Sequence, residues 1–358
     1  MSTFTESVHG ESLGVIKTKS YYEALGNNSN LKTDACCTSE KPSLEVREAL
    51  KNIKDECIEK YYGCGLVFPG CIKGLHILDL GCGAGRDAFV MSQLVGPEGL
   101  VTGVDFSNEM LSVGIKNIDW HMSRFSYPNS NVRFLQANIE DLSSIASDSV
   151  DVIISNCVVN LSQNKRSVFA EAYRVLKKGG EMYFSDVYSS RRLPQTLRDD
   201  EVIWGECISG ALYWNDFLRL AKQEGFLDPR LVKSRLINVN NARIQERLGD
   251  IRIFSATYRL FKLPELEPDC EDYGQAVIYK GTIASDPYSY ILDDHHIIET
   301  GKVFPVCGNT FRMLHDTRLR EHFTFLGDWS RHFGIFSGCG KSMPFETASG
   351  KQDGASCC

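Results

Sequence analysis

The feature that most constrains this chain is Asp79-Leu-Gly81-Cys-Gly83-Ala-Gly85-Arg86, set between a short apolar run, HILDL (76–80), and a segment of helical periodicity, GRDAFVMSQLVG (85–96). Glycine is needed where the backbone turns sharply and where a ligand must come close to the main chain. The alternation continues downstream. LVTGVD (100–105), NVRFLQA (131–137), VDVIISN (150–156) and EMYFSDV (181–187) read as strands, with helices predicted over about 108–123 and 165–178. Strands alternating with helices predict an α/β fold with a doubly wound, mostly parallel sheet.

The D-x-G-x-G-x-G spacing differs from the dinucleotide G-x-G-x-x-G, whose third glycine serves a pyrophosphate. It resembles the first loop of class I methyltransferases, a Rossmann-like fold in which this loop takes the amino-acid end of S-adenosylmethionine. Asp79, Gly81 and Gly83 are the candidates there. Asp105 ends the second strand, 26 residues after Asp79, where a carboxylate accepts hydrogen bonds from both ribose hydroxyls. Asn138-Ile139-Glu140-Asp141 follows the third strand, where such enzymes contact adenine. Ser155-Asn156-Cys157 ends the fourth, at the carboxyl edge where open α/β sheets bind ligands. Four strand ends converging on one crevice favour this reading over a plain NAD-type fold or a non-enzymatic descendant.

The 358 residues suffice for two or three domains. A helix is expected over 43–61, with Ser43 as N-cap. After residue 190 a helix over 214–224, closed by Gly225, and strands over 230–240 and 251–263 are expected. KLPELEPDCED (262–272) reads as a linker to a small domain of weaker regularity, and SGKQDGASCC as a flexible tail. The division expected is an N-terminal segment (1–60), a cofactor-binding core (61–189), a segment completing the sheet (190–262), a small C-terminal domain (263–340) and the tail (341–358). A net charge of −7 argues against a nucleic-acid partner. No stretch of about 18 apolar residues suggests a membrane span, and the N-terminus lacks the basic start and apolar stretch of a secretory signal. A cytoplasmic, reducing location follows as the default.

In that setting 13 cysteines do not read as a disulfide scaffold. Free cysteines often behave as small buried hydrophobes, the reading preferred for Cys57, Cys71 and Cys82. Cys270 and Cys307 fit no pattern. Four others stand out: Cys36 in LKTDACC, Cys64 between two glycines in YYGCG, Cys157 at the end of the fourth strand, and Cys207 in WGECISGALYW. Cys157 would face whatever accepts the methyl group, although a buried small residue explains it equally well when taken alone.

The segments LKTDAC, KYYGCGLVFP, LDLGCGAGRD, VVNL after SNC, EAYRVLKKGGEMYFSDVY and WGECISGALYW closely resemble arsenite S-adenosylmethionine methyltransferases. The likeness runs from about Lys32 to Leu263. It continues more loosely through FPVCGNTFRML and HFTFLGDWSRHFG. It implies that Cys36, Cys64, Cys157 and Cys207 take the places of the family's working cysteines, and that arsenic detoxification is the role. Doubling of the cysteine at Cys37 leaves two neighbours to choose from, of which the alignment of LKTDAC favours Cys36. Tyr62, in the YYGCG segment, is assigned to the cofactor pocket.

Trivalent arsenic is soft, so thiolates are its natural ligands. Cys64, Cys157 and Cys207 are the expected set, leaving the arsenic lone pair free to attack the methyl group of S-adenosylmethionine. The substrate is then arsenite or its thiol conjugates. Transfer oxidises arsenic formally, and Cys36 with Cys64 is the expected dithiol that returns two electrons, reset by thioredoxin or glutathione. A zinc site is the competing reading, but these four contain no pair of close C-x₂₋₄-C motifs. For the adjacent Cys357 and Cys358 two readings stand: capture of arsenic that is then passed inward, and a tail with no catalytic role. Asp293-Asp294-His295-His296 reads as plain surface, and Trp204, Trp214 and Tyr61 as core. Two rival functions remain: methylation of a small organic molecule, with structural cysteines, and sequestration of arsenic without turnover.

Overall fold

The computed structural model describes residues 41–61, 63–199, 208–239, 241–339 and 341. Strands β1 (His76–Leu80), β2 (Leu100–Asp105), β3 (Val132–Gln136), β4 (Val150–Asn156) and β5 (Leu176–Ser189) form parallel neighbours in the order β3-β2-β1-β4-β5. Strands β6 (Leu212–Tyr213), β7 (Arg230–Leu236) and β8 (Ile253–Phe261) extend this sheet. The short β6 lies parallel beside β5, and β8 pairs antiparallel with both β5 and β7. Chain order reverses between β1 and β4, so a crevice opens beyond their carboxyl ends, where ligands of such sheets bind.

Both faces of the sheet are covered, which is why its strands are nearly continuous apolar runs. One face packs Leu78, Leu80, Ile153 and Phe184 against Phe169 and Val168 of α6 (Lys165–Val175) and Phe217 of α8 (Trp214–Gln223). The other packs Ile77, Val101 and Ile154 against Phe89 and Met91 of α3 (Arg86–Val95), and against Val46 and Ala49 of α1 (Leu44–Leu50). Two predicted helices are each broken in two. The first splits into α1 and α2 (Asp55–Glu59), because Ile53 turns inward between them. The second splits into α4 (Asn108–Lys116) and α5 (Ile118–Phe125) at buried Asn117, whose side chain donates to the Val113 carbonyl at 2.8 Å. Ser43 caps α1 by accepting from the Val46 amide, and Gly225, at φ +101°, follows the end of α8.

Beyond β8, strand β10 (Gln275–Tyr279) lies between β13 (Val303–Val306) and β14 (Phe323–Leu326), all antiparallel. Helix α10 (Gly308–His315) packs on this sheet through Phe311, Met313 and Leu314. Two pairs complete the unit: β11 (Ser289–Ile291) with β12 (Ile297–Glu299), and β9 (Glu271–Asp272) with β15 (Gly334–Ile335).

Two expectations are corrected here. The 262–272 stretch is not a free linker, since Leu263 and Leu266 are buried in the same cluster as Tyr279 and Phe323. Nor is Asp293 surface: it is buried, bonded to Arg230 at 3.0 Å and to His296 at 2.7 Å, while His295 stays exposed. Glu181 of β5 makes a second junction, paired in buried surroundings with Arg259 of β8 at 2.7 Å and with Arg318 from beyond α10.

Candidate active site

Gly81, at φ +72°, turns the chain out of β1 into the crevice. A Cβ there would fall 2.4 Å from the Val158 side chain, so no other residue fits the turn. Asp105 ends β2 and ties the turn down, accepting from the Gly83 amide and from the Ser107 amide, each at 2.9 Å. Asp79 at the end of β1, Gly81, Gly83, Asp105 and Asn156 therefore gather at the carboxyl ends of neighbouring strands, as the register Asp79↔Ile154 and Leu80↔Ser155 requires.

Asn138 is exposed on the loop after β3, where its Oδ1 accepts from the Glu140 amide at 3.0 Å. Ile139 is buried against the core beneath. Glu140 receives Ser162 Oγ at 2.7 Å and the Gln163 amide at 2.9 Å, tying the β3 loop to the β4 loop. Tyr62 lies outside the described residues.

The electrostatics of the crevice are one-sided. Asp79, Asp87 and Asp105 are all buried, and burial pushes each carboxyl up, Asp79 well above the ordinary carboxylate range with Asp87 and Asp105 adding to the effect. Asp79 Oδ2 and Asp87 Oδ1 are buried without a hydrogen-bond partner. Arg86 lies 3.1 Å from Asp87 Oδ1, but in an orientation that makes no hydrogen bond, and its guanidinium stacks on Tyr61 at 3.6 Å. A pocket holding orphaned carboxylate oxygens suits a ligand that brings donors and positive charge. S-adenosylmethionine, with its α-ammonium and sulfonium, fits.

Cys157 immediately follows β4 and Cys64 lies in the loop before β1. Their sulfurs are joined as a disulfide, with Cα atoms 5.8 Å apart. This departs from the expected partnership of Cys64 with Cys36. Cys36 and Cys207 both lie outside the described residues, as do Cys357 and Cys358. Ile208, next in the chain to Cys207, is fully buried in one apolar cluster with Cys64, Cys157, Leu197 and Ile253. Gly210 explains how this segment comes so close: a Cβ there would sit 2.0 Å from the Asn160 carbonyl.

Asn156 positions the thiol loop. Its Oδ1 accepts from the Cys64 amide at 2.9 Å and the Gly65 amide at 3.2 Å, and its Nδ2 donates to Tyr61 Oη at 2.7 Å and the Gly65 carbonyl at 2.8 Å. Cys157 is held at φ +59°, a conformation that costs a non-glycine residue on the order of 1 kcal/mol. Its amide donates to the Ser185 carbonyl at 2.9 Å. Sequence reasoning missed the Asn156 network, the Arg86–Tyr61 stack, and buried Asp186, which accepts from the Asn160 amide at 3.0 Å and from Asn160 Nδ2 at 2.6 Å. The N in SNC and in VVNL was the available signal. Cys57 and Cys82 are buried as expected, and Cys71 is half-buried. Among the described residues no group of three or more His, Cys, Asp or Glu is arranged to hold a metal ion, and no helix is long and apolar enough to cross a membrane.

Residues 72–225 match a family described as a methyltransferase domain, and residues 267–331 match a domain of unknown function (DUF8838). The crystal structure of an arsenic (III) S-adenosylmethionine methyltransferase from Chlamydomonas reinhardtii resembles this fold with a TM-score of 0.80 at 47% identity, over 83% of this chain and 100% of that one. The arsenite methyltransferase of Homo sapiens is 42% identical over 308 residues, 85% of this chain and 81% of its own length. That of Aquipseudomonas alcaligenes covers 94% of this chain and 98% of its own. With 54% identity to this last relative over 340 residues, the chain belongs to the arsenite methyltransferase family.

Proposed function

We propose that this S-adenosylmethionine-dependent arsenite methyltransferase holds trivalent arsenic on Cys64, Cys157 and Cys207 and recovers the electrons of each transfer from its own cysteines. One observation carries the reading: Cys64 and Cys157 meet at the carboxyl edge of the sheet, beside a crevice of under-neutralised carboxylates. S-adenosylmethionine supplies an electrophilic methyl group on a sulfonium. Asp79 binds its ammonium end, the Gly81–Gly83 turn admits its backbone, Asp105 takes the ribose hydroxyls, and Asn138 and Ile139 bound the adenine. Tyr62 and Asn156 close the pocket between cofactor and arsenic.

Arsenic bound to three thiolates keeps a lone pair, and no proton must be removed before it attacks. The residues contribute alignment and exclusion of water. The apolar neighbours Leu197, Ile208 and Ile253 keep the thiol cluster dry. As the arsenic–carbon bond forms, the carbon–sulfur bond of the sulfonium breaks and its electron pair stays on sulfur. Arsenic passes formally from trivalent to pentavalent. Two thiolates then leave it as a disulfide, returning two electrons and restoring trivalent arsenic.

A Cys64–Cys157 bond, the pairing seen in the structure, would be one such product. Attack by Cys36 on Cys64 would release Cys157 and leave the Cys36–Cys64 disulfide, which thioredoxin or glutathione reduces by exchange. In this reading residues 1–60 carry the redox thiol, 61–189 the cofactor, 190–262 the third arsenic ligand, 263–340 the small domain, and 341–358 the tail. The enzyme works in the cytoplasm.

The test is product speciation after incubation with arsenite, S-adenosylmethionine and a thiol, for wild type and Cys157→Ser. Methylated arsenic from the wild type, reduced about 100-fold or more in the variant, is the expected result, since two thiolates hold soft arsenic less well than three. A wild type that binds the cofactor yet yields no methylated arsenic transfers to an organic acceptor instead.

A further inference from the structure

The small C-terminal domain gathers three cysteines that are far apart in sequence. Cys270 lies just before β9, Cys307 just before α10, and Cys339 just after β15. Pairing of β9 with β15 lays the last of these over the first, fixed by the Phe336 amide donating to the Cys270 carbonyl at 2.7 Å and the Cys339 amide to the Phe336 carbonyl at 3.2 Å. The Glu267 amide donates to Asn309 Oδ1 at 2.8 Å and Asn309 Nδ2 donates to the Glu267 carbonyl at 2.9 Å, which brings the turn carrying Cys270 beside Cys307 at the start of α10.

Cys307 is built as a thiolate. It occupies the N-cap of α10, accepting from the Thr310 amide at 3.5 Å and lying 3.4 Å from Thr310 Oγ1. The positive end of a helix favours an anion there. Arg230, buried at the junction with the main sheet, places Nη2 4.0 Å from the same sulfur. The neighbouring Cys270 does most to lower the Cys307 thiol, to about 5, with Arg230 and Thr310 adding to it, and Cys270 is pushed up in turn. Access grades outward: Cys307 is buried, Cys270 half-buried and Cys339 exposed.

We propose that Cys270 and Cys307 form a second arsenical-binding site, a two-thiol chelate for trivalent arsenic bearing at least two exchangeable oxygens, separate from the site of methyl transfer. A pair of sulfurs replaces two hydroxyls on arsenic: two As–O bonds break, two As–S bonds form, and two waters leave, one carrying the Cys270 proton and the other a proton from solvent. No oxidation state changes, so neither oxidant nor reductant is required. The pre-formed thiolate makes the first bond and the half-buried thiol closes the chelate. Arsenite and its monomethyl trivalent derivative both satisfy this chemistry, whereas a dimethyl arsenical has a single exchangeable oxygen and does not. Exposed Cys339, tied to the Cys270 backbone through Phe336, is the thiol through which an arsenical enters by exchange.

The test uses the full chain, reduced and then freed of reductant, with phenylarsine oxide as a probe that condenses with two thiols. Tryptic digestion of the labelled wild type is expected to give a phenylarsenic bridge joining the Cys270 peptide to the Cys307 peptide. This readout needs no variant. The double variant Cys270→Ser, Cys307→Ser is then expected to retain about one equivalent less probe per chain, because soft arsenic loses its sulfur ligands. Bridges found only among other cysteines, with an unchanged equivalence in the double variant, overturn the proposal. So does a probe attached to Cys339 or Cys270 alone, which is simple surface modification.

Discussion

Two sets of buried carboxylates in this molecule behave in opposite ways. At the crevice, Asp79, Asp87 and Asp105 are pushed up by burial, and Asp79 also by its acidic neighbours. At the junction with the C-terminal domain, burial acts the same way on Glu181, but the guanidiniums of Arg259 and Arg318 overcome it and hold the group at about 2. Asp293 is likewise held well below the ordinary range, by hydrogen bonding from His296 and by the charge of Arg230. Burial is common to both sets, so it does not decide the charge; the partners do. A closed structural network satisfies its carboxylates, whereas a binding site leaves them wanting a ligand.

The largest effect that would test this contrast is on folding. Glu181→Gln leaves two buried arginines without their counter-charge, and about 3 kcal/mol of stability should be lost in denaturant titration. The depressed carboxyl contributes stability that is fully present above its unfolded value, 4.5, and is lost as pH falls towards about 2. The wild type should therefore weaken between about pH 5 and 2, and the variant should lack that portion of the acid response. A neutral substitution would mean that Arg259 and Arg318 are satisfied elsewhere.

The crevice should respond in activity instead. Asp79→Asn removes a charge that the empty fold does not need, so thermal unfolding without cofactor should stay level or rise. kcat/KM for S-adenosylmethionine should fall about 100-fold, equivalent to about 2.7 kcal/mol. A variant that instead unfolds as readily as Glu181→Gln would make Asp79 a structural group.

A smaller effect separates the two sets in solution. Carboxyls with raised values hold their protons to higher pH than free ones, and a cationic ligand favours their ionised form. Binding of S-adenosylmethionine should then release protons and tighten as pH rises. Calorimetry in two buffers of different ionisation enthalpy measures this directly. Identical heats in the two buffers would mean that the crevice is already ionised.

The sequence made the crevice readable because its chemistry is local: strand, glycine turn and helix follow one another from His76 to Val95, and each later strand end brings one polar group. The junction was unreadable for the opposite reason. Asp293 looks like surface until Arg230, 63 residues away, is brought to it. Leu263 and Leu266 sit among prolines and acids, and only strands β10 and β14, formed later in the chain, show why they are buried. The helix break at Asn117 depends on a side chain bonding back to its own helix, which periodicity does not register. Cys270 and Cys307 carried no local pattern because their meaning lies in each other, across 37 residues, and in Arg230.

Asp186 stands between the two sets and is the finest test of the contrast. It is buried at the end of β5, and burial pushes it up, but the amides of Val187 and Asn160 and the charge of Lys165 hold it to about 6. Lys165 is itself lowered, by burial, to about 8, although its Nζ donates to the Asn160 carbonyl at 3.1 Å and the Ser162 carbonyl at 2.9 Å. Because the folded value of Asp186 lies above the unfolded 3.8, protonation favours the fold, and that contribution fades as pH rises through about 6. Asp186→Asn should therefore abolish a shallow decline in stability between about pH 4 and 6. At pH 7 it should change stability by no more than about 1 kcal/mol, since the lost charge penalty offsets a poorer acceptor for the two amides. A loss as large as that of Glu181→Gln would place Asp186 with the satisfied junction carboxylates. A loss of turnover without loss of stability would place it with the crevice, acting through Asn160 on the loop that faces Gly210.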